Sequence, residues 1–92
     1  MITAISLLTV QRDKVASVAQ QLAEIEGVSE VYSVSGRYDL VSIIRAKDSE
    51  SMSELVTGHM LKVDGIMKSE TLMAFRVYSR YDLEHMFSIG KD

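Results

Sequence analysis

The stretch LAEIEGV, residues 22–28, returns as MLKVDGI at residues 60–66. In both copies apolar residues at helical spacing run into a glycine, and a β-branched residue follows at once. Glycine ends a helix readily because it enters the left-handed region without a Cβ penalty. A Val or Ile directly after that stop favours extended chain. The two stretches therefore both read as helix, stop, strand. Gly27 and Gly65 lie 38 residues apart, and the same shift lays Ile5 on Ile43. A duplicated unit is the simplest account.

Working outward fills in that unit. Ile2 to Val10 alternates Ile2, Ala4, Ser6 and Leu8 against Thr3, Ile5, Leu7 and Thr9, which predicts a strand. From Asp13, read as an N-cap, Val15, Val18, Ala19, Leu22 and Ile25 recur at helical spacing up to Gly27. Val28 to Val34 and Leu40 to Ala46 predict two strands of a hairpin, joined through Ser35 to Asp39. Asp48 or Ser49 opens a second helix, with Met52, Leu55, Val56, His59 and Val63 on one face. Ile66 to Tyr78 supplies the fourth strand. The order βαββαβ is that of a ferredoxin-like α+β sandwich: a four-stranded antiparallel sheet with two helices on one face.

Residues 1–79 are expected to form this domain. Residues 80–92, with Tyr81, Leu83, Met86, Phe87 and Ile89, are expected to form a tail that packs on a neighbouring subunit. The tetrapeptide Arg-Tyr-Asp-Leu occurs at residues 37–40 and again at 80–83, out of register with the duplication. The two copies therefore have separate roles. The second makes Asp82 the cap of a short C-terminal turn, and the first shapes the hairpin.

Composition narrows the function. There is no cysteine, so disulfides and thiolate metal sites are excluded. The start Met-Ile-Thr-Ala-Ile lacks the basic and apolar regions of a signal peptide, which makes the cytoplasm the expected compartment. No apolar run approaches the roughly 20 residues of a membrane span. A net charge of −3 gives no electrostatic footprint for a phosphate backbone, so no direct nucleic-acid partner is expected. Both faces of the third and fourth strands are apolar, as in Leu40 and Ile44 against Val41 and Ile43. A chain of 92 residues buries only one such face alone, so a homodimer through the open sheet face is expected.

Catalytic chemistry is hard to find. His59 and His85 are each alone in their elements, and His59 reads as a packed structural histidine. No nucleophile elbow and no Gly-rich phosphate loop is present. Glu24, Glu26, Glu30, Lys62 and Lys68 read as solvated charges, and the methionines at 52, 60, 67 and 73 as core fillers. We therefore expect no enzyme, no metal and no cofactor. The hairpin Gly36-Arg37-Tyr38-Asp39 is different. As a bare turn, Gly supplies positive φ and Asp binds nearby N–H groups. As a site, its free backbone groups and carboxylate suit the ammonium and carboxylate of an amino acid.

Val34-Ser-Gly36-Arg-Tyr38-Asp39-Leu40, with Ile25-Glu-Gly27-Val28, Val63-Asp-Gly65-Ile66 and Ser69-Glu-Thr71-Leu-Met-Ala-Phe, resembles the effector-binding domain of the Lrp/AsnC feast/famine regulators. The resemblance covers nearly the whole chain. It implies an amino acid or related small effector bound between dimers, and dimers assembled into a ring-like octamer or decamer. Carried over residue by residue, it makes Ser35, Gly36, Arg37, Tyr38, Asp39, Ser69 and Thr71 the candidate contacts. The family's helix-turn-helix has no place ahead of a strand that starts at residue 2, so a stand-alone effector-binding domain is implied. Full-length family regulators are the implied further partners. Two other readings compete: a cofactor-free dimeric α+β barrel monooxygenase or isomerase with His59 as base, and an oligomeric scaffold without ligand.

Overall fold

The computed structural model describes residues 1–80. Its elements follow the expected order: β1 (Ile2–Val10), α1 (Val15–Ala23), β2 (Val28–Ser33), β3 (Leu40–Ala46), α2 (Ser49–Gly58) and β4 (Ile66–Met73). The strands form one antiparallel sheet in the order β2-β3-β1-β4. Ile5 stands opposite Ile43 in the central pairing, and these are the two residues that the repeat equates. The approximate twofold axis of the duplication therefore passes between them.

Alternation along β1 and β3 sends Ala4, Ser6, Leu8, Leu40, Ser42 and Ile44 to the helix side, where all six are fully buried. Val18 and Leu22 of α1 and Met52, Leu55 and Val56 of α2 close over them. The two glycines of the repeat fasten these helices to opposite halves. Gly27 has φ of +100° and Gly65 of +111°. A Cβ on Gly27 would collide with Leu55 of α2, and one on Gly65 would lie 3.0 Å from Val18 of α1. Each glycine carbonyl also accepts a bond from a central strand or its end, Gly27 from the Arg45 N–H at 2.8 Å and Gly65 from the Gln11 N–H at 2.9 Å.

Several boundaries differ from the sequence reading. Asp13 lies inside a 3-10 turn, Arg12–Lys14, and makes no cap; α1 starts after that turn. Asp48 does cap α2, its Oδ1 accepting the Ser51 N–H at 2.8 Å, which lowers its pKa. The second helix ends at Gly58, a 3-10 turn, Met60–Lys62, follows, and His59 between them is exposed rather than packed. The fourth strand stops at Met73, not Tyr78. Its partner β1 begins at Ile2, and Ala74, which donates to the Thr3 carbonyl, makes the last of its bonds to β1. Phe75, Val77 and Tyr78 continue beyond the sheet with their side chains in solvent. Met52 and Met60 fill the core as expected, but Met67 and Met73 lie exposed on β4. The Asp82 cap and the tail beyond Arg80 fall outside the described residues.

These contacts set two stability predictions. Gly36 also has positive φ, but no described residue lies within 4 Å of a Cβ built there. Gly36→Ala should therefore cost on the order of 1 kcal/mol from backbone conformation alone, and Gly27→Ala roughly 2–3 kcal/mol because Leu55 must also move. Urea denaturation of both variants measures the difference. Ser42 Oγ is fully buried with no hydrogen-bond partner among the described residues. An unmet buried hydroxyl costs about 1–3 kcal/mol, so Ser42→Ala should raise the urea midpoint rather than lower it.

Candidate functional site

The hairpin between β2 and β3 is held to the end of β1 by a single residue. The Asp39 N–H donates to the Leu8 carbonyl at 2.9 Å, and Asp39 Oδ2 accepts the Val10 N–H at 2.8 Å. Its carbonyl takes the Val34 N–H at 3.1 Å, which closes the loop. Asp39 thus completes the ladder where β1 would otherwise end with an open donor.

Tyr38 extends the arrangement across the sheet. Its hydroxyl donates to Glu70 Oε1 of β4 at 2.7 Å, so the side chain passes over β1 on the face away from the helices. The bond to Glu70, followed by partial burial, raises the Tyr38 pKa, and nearby Arg37 opposes this. The phenol is protonated at neutral pH, and the contact is lost only as pH rises through that raised value. Ser35, Gly36 and Arg37 form the exposed tip, and no described residue crowds the space beside Gly36.

Of the residues expected from sequence, the structure brings together Tyr38 and Asp39 with the loop tip. Ser69 and Thr71 stand elsewhere. Register places Ser69 opposite Leu8 and Thr71 opposite Ser6, both on the helix side of the sheet, whereas Glu70 opposite Leu7 is on the open side. Thr71 Oγ1 lies 3.3 Å from Ser6 Oγ and so shares its hydroxyl with the core. Glu70 is the residue that sequence reasoning missed. The signal available was the pleat itself, because between Ser69 and Thr71 only Glu70 points to the face that Tyr38 crosses.

The open face carries a second feature at its other end. A groove of about 850 Å³ lies between Ile5, Ile43 and Tyr32 of the sheet and Phe75 and Val77 of the segment beyond β4, with Arg45 at its rim. Tyr32 donates to the Glu30 carboxylate beside it, which raises the Tyr32 pKa. His59 does not line this groove and is exposed at the end of α2, not packed between sheet and helices as the competing enzyme reading would need. No cluster of three metal-ligating side chains occurs among the described residues. No helix there is long and apolar enough to cross a membrane.

Known proteins share this fold. The chain is 36 % identical over 56 residues to the HTH-type transcriptional regulator LrpA of Pyrococcus abyssi, a match covering 61 % of this chain. It spans 40 % of that regulator, less than half its length. Among solved structures, TTHA0845 from Thermus thermophilus is 44 % identical with a TM-score of 0.81, over 87 % of this chain and 100 % of that one. The transcriptional regulator NMB0573 from Neisseria meningitidis, solved as a complex with L-Met, shares the fold alone: 14 % identity and a TM-score of 0.77, over 86 % of this chain and 53 % of that one. A family model described as the Lrp/AsnC ligand binding domain matches residues 3–83, and the chain belongs to that family.

Proposed function

We propose that this chain is a small-molecule receptor domain that takes an amino acid or a close derivative at the hairpin of residues 35–39. It acts in transcriptional regulation of amino-acid metabolism, in the cytoplasm, through assembly with copies of itself or with full-length regulators. The observation that carries the reading is the Tyr38–Glu70 strap beside an Asp39-anchored loop. Those bonds hold an exposed loop in one shape before any ligand arrives, and preorganisation reduces the cost of binding. In NMB0573 the same fold accompanies L-Met.

The geometry supports a role for each residue. Loop N–H groups at Ser35 and Gly36, with Arg37, would receive a carboxylate. Asp39 Oδ1 is the oxygen left for an ammonium, since Oδ2 is committed to Val10. Ser69 and Thr71 would enter only from a neighbouring subunit's side, which suits a ligand held between dimers. The dimer itself would form through the open face, where Ile5, Leu7, Val41 and Ile43 are only half-covered and Tyr32 and Leu72 are exposed. The tail of residues 80–92 would pack on the neighbour, and rings of eight or ten subunits would follow from such dimers.

A thermal-shift screen of the twenty amino acids tests the reading. A ligand at 100 times its Kd stabilises by about 2.7 kcal/mol, which in a domain of this size moves the melting point by roughly 10 °C or more. At least one amino acid should do so. Arg37→Ala should remove the shift while leaving the unliganded melt in place, because Arg37 is exposed. Asp39→Ala is a poorer probe, since it also opens the end of β1. A flat screen, or an unchanged shift in Arg37→Ala, would count against the hairpin as the site. Gel-shift assays at low salt should show no sequence-specific DNA binding by the chain alone, because it is acidic and neither described helix reads as a recognition helix; a specific shift would contradict this.

A further inference from the structure

Among the described residues the strand β4 has an outer edge with no partner, and its sequence is complementary to itself. The Ala74 N–H bonds to the Thr3 carbonyl, so residue 74 directs its backbone groups toward β1. In an antiparallel ladder this alternates, so Leu72, Glu70 and Lys68 also face β1, and Met73, Thr71 and Ser69 present their N–H and C=O groups outward. The strand is the end member of the sheet among the described residues. A lysine on such an edge usually keeps other strands away. Here Lys68 is followed two residues later by Glu70, on the same open face, and both are exposed.

We propose that the β4 edges of two copies pair antiparallel about Ser69, fusing two four-stranded sheets into one. Ser69 then faces the partner's Ser69, Lys68 faces the partner's Glu70, and Glu70 faces the partner's Lys68. Two constraints select this register. Only outward-facing residues can exchange ladder bonds, so Ser69 must meet Ser69 or another outward residue. Sliding the pairing to the next permitted register in one direction sets Lys68 against Lys68, and in the other sets Glu70 against Glu70; like charges directly opposite are destabilising. The chosen register alone pairs both charges with their opposites.

The pairing reaches the hairpin. Glu70 already accepts the Tyr38 hydroxyl, so the partner's Lys68 completes a Tyr38–Glu70–Lys68 cluster and brings a cation beside the loop. The interface does not depend on which ligand the loop takes, nor on the open sheet face, which it leaves free.

Sedimentation velocity of the full chain at micromolar concentration and low salt tests the pairing, with circular dichroism to confirm that each variant is folded. Lys68→Glu and Glu70→Lys should each lower the mass of the wild-type assembly at least twofold. The double variant, which restores opposite charges across the same register, should regain it. Ser69→Pro deletes an N–H that points away from β1 and is not used by the described residues of the fold, and it should lower the mass likewise. If face-packed dimers exist, the step is from four copies or more down to two; if they do not, it is from two to one. Single variants at wild-type mass would overturn the proposal, as would a double variant that fails to recover or a monomeric wild type.

Discussion

Every ladder in this sheet joins one half of the duplicated chain to the other. Strands β1 and β2 belong to the first half and β3 and β4 to the second, yet the neighbours are β2 with β3, β3 with β1, and β1 with β4. Neither half contains a strand pair of its own. Backbone N–H and C=O groups must be paired when buried, so neither half can satisfy its own central strand without the other. The glycines repeat this exchange in the helix layer, with Gly27 lying under Leu55 of α2 and Gly65 near Val18 of α1. The fold is therefore all-or-none at the level of the repeat, and although the β2–β3 hairpin is local, the long loops that must close before β1 pairs with β3 or β4 favour slow folding.

The candidate site inherits its rigidity from this interleaving. A hairpin loop is ordinarily among the softer parts of a domain. This one follows β2 into β3, but Asp39 bonds it to β1 and Tyr38 bonds it to β4, so the loop is tied to all four strands. Asp39 acts as structure and Tyr38 as a strap, while Ser35, Gly36 and Arg37 remain open to solvent. The division of labour within five residues explains why one stretch reads equally well as a turn and as a binding loop.

Much of this was legible in the sequence because it depends on local rules. The alternation in Ile2 to Val10, the glycine stops and the Asp48 cap are decided by residues a few positions apart. What was not legible depends on where strands end relative to one another. Phe75, Val77 and Tyr78 have strand composition, yet the ladder to β1 ends at Ala74, and beyond it they lie exposed among the described residues. His59 has helical spacing from Met52 and Leu55, but α2 has already ended at Gly58. Met67 and Met73 are apolar, yet on β4 both stay exposed among the described residues. At the site, spacing could not reveal that Thr71 faces Ser6 while its neighbour Glu70 meets Tyr38, because that is fixed by the register with β1.

The two sheet edges occupy equivalent positions in the repeat, yet they carry different codes. The shift that takes Gly27 to Gly65 takes Glu30-Val31-Tyr32 to Lys68-Ser69-Glu70. On β2 an antiparallel self-pairing about Val31 would set Glu30 against tyrosine and neutralise nothing, whereas on β4 the same operation neutralises two charges. Strand β2 is also covered by α1, while β4 is held almost entirely by β1. An edge that pairs with itself through a twofold axis is consumed in doing so, and the opposite edge offers no matching pattern for growth. Sheet extension through β4 therefore closes at two copies instead of running on into a fibre, and any larger ring must be built through other surfaces, the open face and the hairpin among them.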